Sequence, residues 1–414
     1  MNPLRQLEQT VLAEGREWTR RRLESQLQAQ ANRLEALCPQ SGVPLHDTRW
    51  RDLQLDTVVG TVQVRARYGY SLALQRWLCP ARAAWDLEPY QRLSPELQAR
   101  LAYTATEVGS YERAARMAQT WGSPLSDGRI HHHVQRLGAA AAQVSLPTAQ
   151  PPAREPEFSL VIMMDGWMAR ERGADWGASR RRKKPARIAW HEVKSAVIYR
   201  LEQRVETRGG RGLLLEKYIV ATPPETAPVD FGAAVQAEAH RRGLGRARYV
   251  YVVIDGAVWL WDLAQDRFAD AHHTLDFHHA RDHLWALAQA LHGEGTETAR
   301  AWVRPLLRDL RRGREARVVR HLEQLLQPDR ARLQPTQEVV EREVAYFQTH
   351  RDHLHYQSME RRGAPRGSGA VESLGAQLQQ RLRSCGQFWR RPGLTHLLRL
   401  SVLVKNRDEA ILWN

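Results

Sequence analysis

Two aspartates in this sequence have the same surroundings, with a run of apolar residues before them and a glycine after them. Asp165 follows the run 158–164, and Asp255 follows the run 249–254. Continuous apolar runs of this length predict strands that are covered on both faces of a sheet. A carboxylate ending such a strand is partly desolvated, which is unfavourable unless it binds a cation or accepts hydrogen bonds. An ordinary Asp-Gly turn is the alternative, but the pattern occurs on both strands, which favours a cation site.

A third acid, Glu372, falls in the first turn of a predicted helix that follows the glycine-containing segment 366–369. The positive end of the helix dipole stabilises a carboxylate at this place, and ordinary helix capping would also account for it. No Gly-Lys-Ser/Thr sequence follows the glycines, so a nucleotide-binding P-loop is not supported. Three carboxylates brought together would offer the hard oxygen ligands that suit Mg²⁺ or Mn²⁺.

The order and context of these acids resemble the DDE transposases of the bacterial ISKra-type insertion-sequence branch, which is related to Mutator-like elements. In that family the first Asp lies on the first strand, the second Asp ends the fourth strand, and the Glu lies on a late helix. These positions correspond to Asp165, Asp255 and Glu372. The resemblance implies an RNase H-like catalytic domain that cleaves transposon ends and transfers strands into target DNA. It also implies two Mg²⁺ or Mn²⁺ ions per site, with Asp165 bridging both ions and the other two acids holding one each.

A further match follows the second acid. Mutator-like relatives carry a Cys or Asp, two residues and then a His, and Asp276 and His279 fit that signature as accessory residues. An Asp that merely caps the following helix is the alternative. The neighbouring histidines suggest a zinc site, but no Cys or acid spacing supports one. These histidines are His272, His273, His278 and His283.

The cysteines depart from the family pattern. Relatives usually carry paired cysteines in the N-terminal segment, whereas this chain retains Cys38 and lacks the expected pair in the region 68–79. We therefore expect no four-ligand zinc site. Three cysteines, the others being Cys79 and Cys385, are too few for a disulfide framework and fit a reducing cytoplasm.

The chain is strongly basic, with 61 Lys and Arg against 46 Asp and Glu, a net charge of +15. This balance predicts a polyanionic partner. No apolar run is long enough to span a membrane, and the first residues contain no secretory signal. The expected partner is double-stranded DNA, both the terminal inverted repeats and the target, bound by a homodimer or higher oligomer at the bacterial nucleoid. The candidate DNA-contacting residues are Arg129, Arg180, Arg181, Arg182, Lys183, Lys184, Arg304, Arg308, Arg311, Arg312 and Arg366.

The elements that must position these residues predict an α/β protein. Residues 1–138 form a mainly helical region with strands at 50–80 and two short helices across a glycine-containing turn, typical of a helix-turn-helix or of an ordinary helical hairpin. A proline-rich linker, 139–157, precedes the RNase H-like domain at 158–406, which carries a helical insertion at about 290–355. Residues 407–414 form a C-terminal tail. The helix predicted at 3–37 either packs on its own domain or mediates oligomerisation.

Two other functions fit parts of this pattern. Another RNase H-like nuclease, such as a junction resolvase, would share the acids but would not need the basic insertion or a separate DNA-binding region. A non-catalytic DNA-binding regulator would need none of the acids, whereas all three are present. Trp302 and Trp389 are candidates for stacking on an unpaired base, although core packing is the favoured interpretation for both.

Overall fold

The computed structural model describes residues 2–144, 157–173, 188–208, 212–326 and 336–413. Contacts divide the chain into two units. The first unit consists of Met1–Val144 with Glu409–Asn414, and the second consists of Ser145–Asp408. In the ranges that the structure describes, no helix is long and apolar enough to cross a membrane.

The first unit combines a three-stranded antiparallel sheet, in the order β1-β2-β3, with helices. Its elements are α1 (Pro3–Arg33), β1 (His46–Thr57), β2 (Gly60–Ser71), β3 (Arg76–Leu78), α2 (Pro80–Ala84), α3 (Pro95–Glu107), α4 (Tyr111–Thr120), α5 (Asp127–Ala141) and a short 3-10 helix at Glu409–Leu412. Apolar and polar residues alternate in the sequence after Gly60, which predicts a strand with one buried face, and every second side chain of β2 from Val62 to Ala66 is buried.

Helix α1 packs on this sheet through its C-terminal half. Leu27 lies against the buried side chains of Val64 and Ala66. The Gln28 side chain also accepts a hydrogen bond of 2.9 Å from the Arg65 backbone N–H, so the helix covers a part of the β2 edge that lies before the residues paired with β3. The N-terminal half of α1 leaves its apolar residues exposed; these are Leu4, Leu7, Val11, Leu12 and Trp18.

Helices α3, α4 and α5 pack on one another. Ser110 and Ser126 precede the two short helices in the sequence and are predicted N-caps; their hydroxyls do accept hydrogen bonds from backbone N–H groups in the first turns of α4 and α5. Gly122 follows α4 with a φ of 84°, a left-handed conformation that favours glycine and ends the helix. Helix α5 continues to Ala141, so the first residues of the predicted linker are helical. Most of the linker lies outside the described residues.

The second unit is a mixed five-stranded sheet covered by helices, which confirms the predicted α/β class. The strands of the second unit, including two outside the five-stranded sheet, are β4 (Ser159–Arg172), β5 (Ile188–Arg200), β6 (Arg204–Glu206), β7 (Gly212–Leu214), β8 (Tyr218–Thr222), β9 (Tyr249–Ile254) and β10 (His272–Leu275). Its helices are α6 (Pro228–Arg241), α7 (Val258–Arg267), α8 (Phe277–His292), α9 (Glu297–Arg311), α10 (Glu315–Glu323), α11 (Gln337–Thr349), α12 (Tyr356–Arg361), α13 (Gly369–Leu382) and α14 (Arg391–Asn406).

The strand order in this sheet is β10-β9-β4-β5-β8. β5 runs antiparallel to both of its neighbours, β4 and β8. β4, β9 and β10 are parallel to one another. β4 is the central strand, which explains its nearly continuous run of apolar residues, because side chains on both faces are buried. Strands β6 and β7 form a separate two-stranded ribbon.

Helices cover the sheet. Leu160, Ile162 and Met164 of β4 belong to a large core with α6, α7 and α8, which extends into the helices of the inserted region. Helix α13 packs on β4 and β5, and α14 packs on β8. The sequence pattern predicts one strand over residues 213–220, which is wrong in detail, because β7 and β8 are two strands that pair with different neighbours. The pattern over residues 231–242 predicts a helix, and the observed helix, α6, begins earlier, with Pro228 in its first turn.

Candidate active site

Three aspartates lie side by side across the parallel part of the sheet. Met164 of β4 pairs with Ile254 of β9, and Ile254 pairs with Leu275 of β10. The next residue along each of these strands is an aspartate, namely Asp165, Asp255 and Asp276. Neighbouring strands are about 4.8 Å apart, so the register alone brings these three backbone positions into one row.

The glycines after the first two aspartates have different surroundings: Gly166 continues a strand, whereas the Asp255 carboxylate accepts a hydrogen bond of 2.9 Å from the Ala257 N–H, as in an Asp-Gly turn. β4 does not end at Asp165, as the sequence had suggested, but continues to Arg172 with Asp165 paired to Ser195 of β5. A Cβ at Gly166 would overlap the carboxylate of Glu192. β9 does end before Asp255, and there a Cβ at Gly256 would overlap the ring of Tyr346.

Asp276 is fully buried and joins two helices. One carboxylate oxygen accepts hydrogen bonds from the backbone N–H groups of His278 and His279, which caps α8. The other oxygen accepts a hydrogen bond from the backbone N–H of Ser368, directly before α13. The alternative interpretation of Asp276 as a helix cap is therefore confirmed. Both of its carboxylate oxygens accept hydrogen bonds from backbone N–H groups, which fixes its position between α8 and the segment before α13.

Glu372 lies one turn into α13, close to the row of aspartates. The Ser368 hydroxyl donates a hydrogen bond of 2.9 Å to its Oε1, and the helix N-terminus stabilises the carboxylate further. Single ligand atoms of Asp276, His279 and Glu372 all lie within 4.8 Å of one another. Among the described residues these three form the closest group of side chains suited to a metal ion.

Charge repulsion and burial both act on Asp165. Burial raises the pKa of this carboxyl to about 6, a hydrogen bond from the Gly166 N–H opposes the rise, and the negative charges of Asp255 and Glu372 add to it. The charge of His279 lowers the same pKa. The charges of three neighbours therefore act on the Asp165 carboxyl, namely those of Asp255, Glu372 and His279. A divalent cation fits this donor set, because carboxylate oxygens and an imidazole would bind it and it would relieve the repulsion.

Tyr346 of α11 forms one wall of the site. Burial raises the pKa of this phenol well above its usual value, and the charges of Asp255 and Asp276 raise it further. Its ring stacks on His283 at 3.7 Å between centroids, and the buried Glu343 accepts a hydrogen bond of 2.5 Å from His283. The sequence did not single out Tyr346, and the steric conflict at Gly256 is the signal that identifies it.

The basic residues predicted to contact DNA lie at several places. Arg304, Arg308 and Arg311 are exposed along one side of α9, and Arg312 follows them. None of these four forms an ion pair within the ranges that the structure describes, whereas Arg314 pairs with Asp309 at 3.3 Å. The guanidinium of Arg311 lies 5.0 Å from the ring of Phe277. Phe277 directly follows Asp276 in the sequence, so the Arg311 end of α9 lies near the acids.

Two other residues that were predicted to contact DNA form ion pairs within the protein. Arg366 forms an ion pair of 3.3 Å with Glu360, and Arg129 of α5 forms one of 2.7 Å with Asp56. The basic run Arg180, Arg181, Arg182, Lys183 and Lys184 lies outside the described residues.

Trp389 is buried and donates to the Leu382 carbonyl, while Trp302 packs between His292 and His321. For both tryptophans, the favoured core-packing interpretation is confirmed.

The cysteines of the first unit are buried. Cys38 begins a tight loop in which its carbonyl accepts from the Gly42 N–H at 2.8 Å. Hydrogen bonds from Ser41 and from the Gln40 backbone lower the pKa of the Cys38 thiol to about 7. Ser41 thus occupies the place where a Cys-x-x-Cys pair would have its second cysteine.

Comparison with known proteins gives structural similarities and one family. The Drosophila P element transposase strand transfer complex matches over 76% of this chain and 92% of that chain, with 11% identity and a TM-score of 0.37. A similarity this low does not define a shared activity. No curated protein matches the sequence. Residues 44–410 match the uncharacterised protein family UPF0236, and the chain belongs to that family.

Proposed function

We propose that this protein is a DDE-type DNA transposase, a metal-dependent endonuclease and polynucleotidyl transferase that acts on the ends of a mobile genetic element. The observation that supports this most strongly is the strand register that places Asp165 beside Asp255, with Glu372 close enough for its charge to act on Asp165. These acids come from a central strand, the end of its parallel neighbour and a helix far along the chain. A partly buried carboxyl with a raised pKa beside other acids, as at Asp165, is typical of catalytic sites.

The sheet supports an RNase H-like assignment for the second unit. Asp165 lies on the first strand of the five-stranded sheet, Asp255 follows the fourth, and Glu372 lies on a late helix. This is the arrangement that the resemblance to DDE transposases leads us to expect. Membership of the ISKra-type branch is a narrower hypothesis, which rests on the spacing of the acids and on the Asp276–His279 pair.

In this proposal Asp165, Asp255 and Glu372 hold two Mg²⁺ or Mn²⁺ ions. Such ions, when bound, activate the attacking oxygen and stabilise the leaving oxygen of a phosphodiester. Ser368 orients the Glu372 carboxylate, and Asp276 fixes Ser368 and the start of α8. His279 offers an imidazole beside the acids. The attacking group is water for cleavage and a DNA 3′-hydroxyl for strand transfer, so no covalent enzyme intermediate is required.

The exposed arginines of α9 would bind the phosphates of duplex DNA. Arg304, Arg308, Arg311 and Arg312 present positive charge without an ion-pair partner among the described residues. Each neutralised phosphate releases counterions, so binding should weaken steeply as salt rises. We further propose that a homodimer or higher oligomer holds the two element ends, as strand transfer of paired ends would require.

Cleavage of a labelled duplex carrying an element end, in Mg²⁺ and in Mn²⁺, tests this function. Asp165→Asn, Asp255→Asn and Glu372→Gln should each abolish cleavage and leave duplex binding nearly intact, because metal ligands act as a unit whereas phosphate contacts dominate affinity. Asp262→Asn is the matched control, since Asp262 is exposed on α7 away from the cluster. Wild-type cleavage by the three variants would refute the proposal.

A four-way DNA junction distinguishes the nearest alternative. A junction resolvase would cut the junction in preference to a linear duplex with an element end and would not join the ends to target DNA. A non-catalytic regulator would bind the end and cut neither substrate. Joining of a pre-cleaved end to a target duplex, dependent on all three acids, is the outcome that only the transposase proposal predicts.

A further inference from the structure

The sheet of the first unit carries an exposed aromatic face outside its core. The first seven residues of β1, His46 to Asp52, are exposed. Arg49 pairs with Tyr68 of β2, and Tyr70 pairs with Trp77 of β3. Alternate residues of a strand share a face, so these side chains, together with Arg51, lie on the face that includes the buried Ala66.

A cavity of about 680 Å³ opens on this face. This volume lies within the range of about 300–1,000 Å³ usual for ligand sites. Its aromatic lining comes from Tyr68, Tyr70, Trp77 and Tyr90, and Tyr90 is 93% exposed. No Asp or Glu lines the cavity. Of these rings, Trp77 and Tyr90 are exposed, so they offer stacking surfaces beside a cavity of this size.

Arginines supply positive charge around these rings. The guanidinium of Arg49 lies 4.1 Å from the centroid of Trp77, and that of Arg51 lies 5.4 Å from it. Arg82 is held by the carbonyls of Glu88 and Gln91 at 3.0 and 2.8 Å, so its place in the lining is fixed. Over the described part of the chain, no carboxylate forms an ion pair with Arg49 or Arg51.

We propose that this cavity binds an unpaired segment of DNA, with a base stacked on the Trp77 ring and phosphates beside Arg49 and Arg51. Base stacking on aromatic rings combined with arginine contacts to the backbone is how single strands are bound without sequence reading. Bases within a duplex are stacked on each other and cannot offer their faces to Trp77. The absence of acids from the lining favours an anionic ligand. All lining residues belong to the first unit, so the proposal does not depend on the catalytic acids.

Fluorescence anisotropy of the full-length chain tests this site with a labelled oligothymidylate and a duplex of equal length at one salt concentration. Trp77→Ala should weaken single-strand binding by about tenfold, in line with the loss of one base-stacking contact. Binding of the duplex should stay within about twofold, because duplex DNA does not use the ring. Trp77→Phe should keep most of the single-strand affinity, since it keeps a stacking surface.

The control is Tyr103→Ala, which removes an exposed ring from α3, outside the cavity. It should leave single-strand binding unchanged. The proposal is overturned if Trp77→Ala binds the single strand as the wild type does, or if it weakens single strand and duplex equally. A second readout is photo-crosslinking of the wild type to 5-iodouracil in the oligonucleotide. Crosslinks should map to the peptides containing Tyr68, Tyr70, Trp77 or Tyr90, and crosslinks confined to other peptides would refute the site even if a variant fails to fold.

Discussion

Replacing Asp165 with asparagine should stabilise the metal-free protein while it abolishes cleavage. The pKa of Asp165 rises from 3.8 to about 6 in the folded chain. A shift of about two pKa units corresponds to about 3 kcal/mol of unfavourable free energy for the ionised carboxylate. The asparagine side chain would keep an oxygen that accepts the 2.7 Å hydrogen bond from the Gly166 N–H. It would remove the charge that is crowded by Asp255 and Glu372.

The pH dependence of this effect has a defined sign. Because the folded-state pKa lies above the unfolded one, the wild-type carboxyl favours folding fully only below about pH 4. That contribution is lost progressively up to about pH 6. Asp165→Asn should therefore raise the melting temperature without metal by about 6–12 °C at pH 8, at about 2–4 °C per kcal/mol for a unit of this size. The increase should shrink towards pH 5.

Thermal unfolding at pH 8 and pH 5, with EDTA and then with Mg²⁺, measures this effect. Mg²⁺ should stabilise the wild type more than the variant, because the ion relieves the repulsion that the substitution has already removed. Asp262→Asn, which changes an exposed aspartate, should show neither effect. A variant that is less stable than the wild type at pH 8 without metal would refute the reasoning, as would equal stabilisation of both proteins by Mg²⁺.

Three further predictions follow from other features. Asp276→Asn should lower the free energy of unfolding by about 1.5–3 kcal/mol in denaturant titration, because an amide N–H would face the Ser368 N–H whose hydrogen bond the carboxylate now accepts; unchanged stability would contradict the bridging role. Arg308→Ala should reduce the slope of log affinity against log salt for duplex DNA by about one. Arg314→Ala, whose arginine is already paired with Asp309, should change it less; equal slopes for wild type and Arg308→Ala would remove α9 from the DNA interface. Elemental analysis of purified protein should find no stoichiometric zinc, since Ser41 replaces a ligand in the Cys38 loop; about one zinc per chain would overturn that expectation.

Local patterns allowed the sequence to predict the strands that carry the first two acids. The apolar runs before Asp165 and Asp255 are continuous because β4 and β9 are interior strands of a covered sheet. The start of α13 was predictable from the glycines around Ser368. The N-caps of α4 and α5 were likewise predictable, because each is a serine directly before its helix. In each case the deciding information lies within a few residues of the element.

Features that depend on distant partners were not predictable. The sequence indicated that the first strand ends at Asp165, because it gives no sign that Gly166 and the residues after it pair with β5. Asp276 was interpreted as an accessory residue, with a local helix cap as the alternative, and neither interpretation indicated that its second oxygen accepts from Ser368, 92 positions later. Tyr346 reaches Gly256 from a separate helix. Such contacts join segments far apart in sequence, and no periodicity or spacing encodes them.

The bond between Asp276 and Ser368 has a consequence for incomplete chains. A polypeptide truncated or still being synthesised before α13 already contains Asp165, Asp255 and the exposed arginines of α9, but it lacks Glu372 and the donor that engages Asp276. Under the proposed function, such a fragment binds element ends through these arginines and does not cut them. Premature termination in the last part of the coding region would then yield a competitor of the full-length enzyme rather than a silent product.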